Sequence, residues 1–204
     1  MKIYNFSQYS PEWWRIREKR LTASKAQAIG NCGIGLESYV DEKMSEYYSS
    51  AEKEPTFTSK DTQRGLDLEP VAATIYEMEY GVTLQEIGFV VHNDYVGGSP
   101  DRLEDEEGLA EIKCPNDKTF WILKKTEKVD SGYIWQMNMQ MLICKKRYCK
   151  FVAYNPNYYE RRLKIKDCFF IKTFTPDPKK VEKLKKGFET GERLIRDADA
   201  RYKK

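Results

Sequence analysis

The segment Ser99-Pro100-Asp101, followed by the acidic run Glu104-Asp105-Glu106-Glu107-Gly108 and then by Glu111-Ile112-Lys113, decides how this chain is read. Alternate side chains of a β-strand point to one face, so Glu111 and Lys113 project together while Ile112 turns toward a core. A polar run ending in glycine suits a reversal between strands, which would return Asp101 to a position opposite Glu111. Adjacent carboxylates repel unless a cation lies between them, and hard oxygen ligands favour Mg²⁺ or Mn²⁺. A lysine beside that cation fits a water held and activated for attack. These residue types at this spacing imply a metal-dependent centre that cleaves phosphodiesters.

Composition allows such a centre without demanding it. A chain of 204 residues is long enough for one domain with a sizeable core, spanning 1–204. Fourteen Tyr, nine Phe and four Trp, with no Ser/Gly-rich tract, argue against disorder. No apolar run approaches the ~20 residues that cross a bilayer, so no membrane role is expected. The start, Met1-Lys2-Ile3-Tyr4-Asn5, has no secretory apolar segment. Five scattered cysteines (Cys32, Cys114, Cys144, Cys149, Cys168) form no C-x-x-C pair, which argues against a zinc ribbon and for free thiols in a reducing cytosol. The net charge of +3 hides a polarity. Residues 145–204 hold nineteen Lys/Arg against eight Asp/Glu, whereas residues 1–144 hold sixteen against twenty-four. Carboxylates suit a metal and basic surface suits a polyphosphate. Solvated helical faces would give the same counts.

Along the chain there is no internal repeat and no clear linker, with Glu52-Lys53-Glu54-Pro55 the expected loop of the N-terminal half. Ser10 and Pro11 mark a helix start, and Thr22-Ala23-Ser24 should cap a second, short helix that the glycines at 30, 33 and 35 end. Helices are expected over 36–50 and about 59–80, where Leu66, Leu68, Ala72, Ile75 and Tyr76 share a face. Strands follow over 82–91, 95–98, 102–103 and 109–114. Helices at about 117–127 and 131–144, strands near 147–154 and 163–172, and a long helix at about 178–200 complete the order. The class is α/β, with a mixed sheet flanked by helices and the acidic hairpin in its middle.

Asp followed by Glu-x-Lys on the next strand resembles the PD-(D/E)xK nuclease superfamily, here written Pro100-Asp101 and Glu111-Ile112-Lys113. Trp13-Trp14-Arg15-Ile16-Arg17 with Leu21-Thr22-Ala23-Ser24 resembles the opening segment of the lambda exonuclease and YqaJ-type viral recombinase family. Gly65-Leu66-Asp67-Leu68-Glu69 with Ala73-Thr74-Ile75-Tyr76-Glu77 is similar to that family's G-x-x-x-E helix. Tyr133-Ile134-Trp135-Gln136-Met137-Asn138-Met139-Gln140 is similar to its glutamine-bearing helix, and Ala153-Tyr154-Asn155-Pro156 follows in the family's order. The resemblance implies a restriction-endonuclease-like fold of three layers. It also implies a Mg²⁺-dependent 5′→3′ exonuclease that degrades one strand of linear double-stranded DNA to mononucleotides. The 3′ single strand left behind would feed phage recombination. Family members are homotrimeric rings that work with a single-strand-annealing protein, in the cytoplasm of a host carrying the phage or prophage.

The resemblance also assigns roles. Asp101 and Glu111, with the backbone carbonyl of Ile112, would hold two Mg²⁺ ions, Mn²⁺ substituting, and Asp101 would bridge them. The competing reading is a solvated surface hairpin. Lys113 would orient or deprotonate the attacking water, its pKa lowered toward neutrality by the neighbouring cation, against the alternative of a salt bridge to Glu111. Glu69 would support the metal site. Gln136 would hydrogen-bond Glu69 or the nucleotide at the cut, with Gln140 one turn on along the same face. Arg17 and Ser24 would hold the terminal 5′-phosphate. Arg15, Lys19 and Arg20 are possible substitutes for Arg17, and an ordinary helix cap is the alternative for Ser24. Ser99 would touch a phosphate or serve as a turn hydroxyl. Met137, Met139 and Met141 read as core, Trp13 and Trp14 as mainly core, and the lone His92 as structural. Two further functions compete: another nuclease of the superfamily (nicking, restriction-type or helicase-associated), and a DNA-end-binding recombination adaptor without catalysis.

Overall fold

The structure, a computed structural model, describes residues 1–49, 60–159 and 164–203. The loop expected at Glu52–Pro55 lies outside the described residues. In chain order the elements are β1 (Lys2–Tyr4), α1 (Pro11–Arg17), α2 (Ala26–Asn31), α3 (Ile34–Tyr48), α4 (Lys60–Tyr80), β2 (Gln85–Glu86), β3 (Phe89–Asn93), β4 (Val96–Gly98), β5 (Arg102–Leu103), β6 (Gly108–Lys113), α5 (Asp117–Thr126), α6 (Ser131–Cys144), β7 (Tyr148–Tyr154), β8 (Phe169–Phe174) and α7 (Pro178–Tyr202). Five strands form the central sheet in the order β2-β5-β6-β7-β8, and β1-β3-β4 form a second, antiparallel sheet.

The central sheet is mixed because its connections differ in length. Asp105 accepts from the backbone N–H groups of Glu107 (2.7 Å) and Gly108 (2.6 Å), a side-chain turn that reverses the chain tightly enough for β5 and β6 to pair antiparallel. Between β6 and β7 lie α5 and α6, a crossover long enough to make these two strands parallel. Glu104, read from sequence as part of the solvated turn, is instead buried and accepts from Lys150 Nζ at 2.5 Å.

Strand alternation then divides the core in two. Ala110, Ile112 and Cys114 face Ala72, Ala73 and Tyr76 of α4, while Leu109 belongs to the larger core with Met137, Met139, Met141 and Phe151. Helix, sheet and helix therefore make three layers, and Glu111 and Lys113 look toward α6. On the far side of the larger core α7 packs on α2, where Gly187 lets the backbone of Ile29 approach.

Four expectations need correction. The strand foreseen at 82–91 is two strands in different sheets, separated at Gly88. The Gly88 N–H donates to Tyr4 O at 2.9 Å, and a side chain there would collide with Phe6. Much of the strand foreseen at 163–172 is a 3₁₀ turn over Ile165–Cys168, fixed by Asp167 accepting from Lys164 N at 2.9 Å, before β8 begins. Thr22 makes no side-chain cap; a 3₁₀ turn over Ala23–Lys25 leads into α2 instead. Gly30 lies inside α2, which left-handed Cys32 ends, and Gly33 starts α3.

Candidate active site

Register carries Asp101 to its place. Arg102 pairs with Ala110 across β5 and β6, so the preceding Asp101 falls opposite Glu111. Asp101 Oδ2 accepts from the Ile112 N–H at 2.7 Å and from Lys113 Nζ at 3.3 Å. The same ammonium donates to the Ile112 carbonyl at 3.0 Å and closes tightly on Glu111 Oε1. Three oxygens, from Asp101, Glu111 and the Ile112 backbone, thus converge on one cationic nitrogen.

Glu111 is fully buried, and a buried carboxylate needs donors at both oxygens. Helix α6 supplies them one turn apart: Gln136 Nε2 reaches Oε1 at 2.5 Å and Gln140 Nε2 reaches Oε2 at 2.7 Å. Gln136 therefore bonds Glu111, not Glu69. Glu69, just before Pro70 in α4, accepts from Arg102 Nη1 at 3.0 Å, and the same guanidinium nitrogen donates to Asp101 O at 2.6 Å. Arg102 holds the two acidic residues in one frame.

Burial first, and then the charge of Asp101, raise both Glu69 and Glu111 to about 7. Burial pulls Lys113 down, but Asp101 and Glu111 outweigh it and its pKa lies above the ordinary lysine value. The salt bridge to Glu111 is therefore present in the metal-free protein, whereas the lowered value is an expectation for Lys113 beside a bound cation. Among the described residues no three His, Cys, Asp or Glu side chains gather as a metal-binding group. The donor set here is two carboxylates and a backbone carbonyl. These are hard oxygens already arranged around a positive charge, and they fit Mg²⁺ or Mn²⁺.

A second cluster runs from the loop before Asp101 to Arg17. Ser99 donates to Gly88 O (2.8 Å) and accepts from Trp13 Nε1 (2.7 Å), so its hydroxyl ties β4 to α1. The Arg17 guanidinium lies 4.0 Å from the Trp13 ring centre. Its Nη2 reaches Thr22 Oγ1 at 3.5 Å, and its Nε is buried with no hydrogen-bond partner among the described residues. Thr22 Oγ1 lies 3.3 Å from Ser24 Oγ and 2.9 Å from Tyr39 Oη. Arg17 and Ser24 are thereby brought together through Thr22. Ser24 is exposed and shares an open cleft of about 810 Å³ with Gln136 and Tyr133.

Residues 12–147 match the YqaJ-like viral recombinase domain. The chain belongs to that family. The protein is built as an alkaline exonuclease is built. It is similar to the crystal structure of an alkaline exonuclease from Laribacter hongkongensis, with 27% identity, TM-score 0.81, and 95% of this chain and 97% of that one covered. A structure of the Laribacter enzyme in complex with dAMP matches at 27% identity and TM-score 0.79, over 94% of this chain and 95% of that one. A phage-related exonuclease from Haemophilus somnus 129PT shares the fold, at 14% identity and TM-score 0.68, over 90% of this chain and 96% of that one. No curated protein sequence matches the chain.

Within this YqaJ-family site, sequence reasoning missed Arg102, Thr22 and the extent of Gln140's role. Arg102 had a readable signal, a charge directly beside a predicted ligand. Thr22, in the family-like Leu21–Ser24 segment, and Gln140, one turn on from Gln136, were marked by position alone, because a hydroxyl or an amide gains its role only from what it faces. Trp13 is buried as expected, whereas Trp14 is 43% exposed. Met137, Met139 and Met141 are core, and His92 packs against Phe188.

Proposed function

We propose that this YqaJ-family protein is a Mg²⁺-dependent exonuclease that degrades one strand of linear double-stranded DNA in the 5′→3′ direction and releases mononucleotides. The observation that carries this reading is the convergence of Asp101, Glu111 and the Ile112 carbonyl on a single cationic point, braced by Gln136 and Gln140. Asp101, Glu111 and Ile112 O would hold two metal ions, Mg²⁺ or Mn²⁺. Bound there, the ions supply charge stabilisation at the attacking and leaving oxygens of an in-line displacement. Lys113 would orient the attacking water and, once it has given up its own proton to solvent and is the free amine, would accept the proton of that water. Glu69, fixed by Arg102, keeps the acidic wall in place. Arg17 and Ser24 receive the terminal 5′-phosphate, giving the reaction its polarity. Ser99 is tied to Gly88 and Trp13, so it contributes by fixing the loop and keeps one lone pair for a donor.

The dAMP bound to the Laribacter enzyme is a mononucleotide of the kind such a reaction releases. By family likeness the working form is a homotrimeric ring on double-stranded DNA ends, paired with a single-strand-annealing recombinase, in the cytoplasm of a bacterium carrying the phage or prophage. The test is digestion of 5′-phosphorylated linear and closed circular duplex with Mg²⁺. Loss of the linear form alone, leaving single strands, supports the exonuclease. A cut circle indicates an endonuclease of the same superfamily, and binding without cleavage indicates an adaptor.

A further inference from the structure

Tyr9 has an unusual backbone for its residue type. Its φ is +67°, a left-handed conformation that bulky L-residues rarely adopt. A strained residue persists when its surroundings over-determine it, and such positions cluster at functional sites. On one side Gln8 Nε2 donates to Ile87 O at 3.2 Å and to Pro100 O at 3.3 Å, which ties this turn to the residue preceding Asp101. On the other side Ser10 caps α1 by accepting from Trp13 N.

The turn holds an aromatic ring in the open. Tyr9 is 56% exposed, yet its ring centre lies 4.9 Å from that of Trp13 and 6.4 Å from that of Trp14. Trp13 in turn carries the Arg17 guanidinium. A row therefore runs from Arg17 through Trp13 to Tyr9, and its outer end is the exposed ring. Beyond partial burial, Glu69 and Asp101 raise the Tyr9 phenol while Arg17 and Lys113 lower it, which puts the ring within electrostatic reach of both clusters. A mononucleotide whose 5′-phosphate lies at Arg17 and whose 3′-phosphate lies at the carboxylates would bring its base alongside such a ring.

We infer that Tyr9 is a positioning residue whose exposed ring stacks on the base of the 5′-terminal nucleotide. The inference rests on the exonuclease reading above. Stacking accepts every base, because each has a π-face, as a non-specific nuclease requires. It would hold the terminal nucleotide in the site without taking part in the chemistry.

The test uses linear duplex with either a normal or an abasic 5′-terminal nucleotide, digested by the full chain with Mg²⁺. For the wild type, removing the terminal base should raise KM by about 5- to 100-fold, the span of one base–aromatic stack, with kcat little changed. Tyr9→Phe should behave like the wild type. Tyr9→Gly and Tyr9→Ala should have the raised KM on normal ends and show no further rise on abasic ends. Glycine adopts φ +67° freely, so Tyr9→Gly should melt no lower than Tyr9→Ala, and equal KM effects in the two variants separate loss of the ring from loss of the fold. If Tyr9→Gly still distinguishes the two ends by the wild-type factor, the inference is overturned while the exonuclease reading stands. A wild type that leaves linear duplex intact overturns both.

Discussion

The carboxylate centre and the Arg17 cluster lie at two ends of one chain of contacts, and they are satisfied to different degrees. At the centre, Glu111 Oε1 meets Gln136 and Lys113, and Oε2 meets Gln140. At the other end, the Arg17 Nε is buried without a partner among the described residues, and the guanidinium's hydrogen bond to Thr22 is 3.5 Å long. The first is arranged around a positive charge before any metal arrives. The second keeps donors unused, which suits a group that must meet an anion carried in from outside. At one end a lysine occupies the point between the acidic oxygens, where the proposed metal would sit, and at the other an aromatic face holds the guanidinium proposed to meet a phosphate.

The sharpest way to break this contrast is to remove one member from each end. Asp101→Ala or Lys113→Ala should lower kcat by on the order of 10³-fold or more while duplex binding persists, measured by digestion alongside a mobility shift. Normal digestion by either variant would remove the centre from the mechanism. Arg17→Ala should act through end recognition instead. Losing charge-assisted contacts to a phosphate costs about 1.5–3 kcal/mol, roughly 10- to 100-fold. That loss should appear on 5′-phosphorylated ends and vanish on 5′-hydroxyl ends. Equal losses on both ends would make Arg17 a structural partner of Trp13 only.

The contrast extends to what could be read in the sequence. Asp101, Glu111 and Lys113 were legible because strand alternation and one turn fix their relation over a short stretch, and the register agrees. The Arg17 cluster needs α1, the turn after it and Ser99, the residue after β4, to come together, and no local periodicity encodes that. Gly88 shows the limit from another side. An apolar run from 82 to 91 reads as one strand, yet the close approach of Phe6 splits it between two sheets. The three-residue β1 was missed for the same reason, since it pairs only with β3 and has too little alternation to announce itself.

The two glutamines offer a finer comparison within the centre. Among the described residues Gln140 is the only donor to Glu111 Oε2, whereas Gln136 shares Oε1 with Lys113. Gln140→Leu should therefore destabilise the metal-free protein by about 1–3 kcal/mol, and Gln136→Leu by less, read from denaturant melts. A reversed order would mean that Lys113 does not cover Oε1.

The smallest expected effect tests whether the acidic wall is strained without metal. Glu111 is raised to about 7 by burial and by Asp101, so between about 4.5 and 7 the folded state holds a proton that the unfolded chain has lost. Stability in EDTA should fall as pH rises through that window, by on the order of 1 kcal/mol. The depressed acids Asp105, Asp117, Asp177 and Asp199 are already ionised in both states there, so they add no slope. His92, whose pKa burial lowers, contributes in the opposite direction. It contributes equally in Glu111→Gln. Glu69, also raised to about 7, adds to the fall in both proteins, so the difference between wild type and variant reads Glu111 together with its effect on Glu69. Mg²⁺ should reverse the sign, because a divalent ion binds the ionised form and its stabilisation grows as the proton leaves. A wild-type slope identical to that of Glu111→Gln, with or without Mg²⁺, would show that the lysine already neutralises the site and that no charge waits there for a metal.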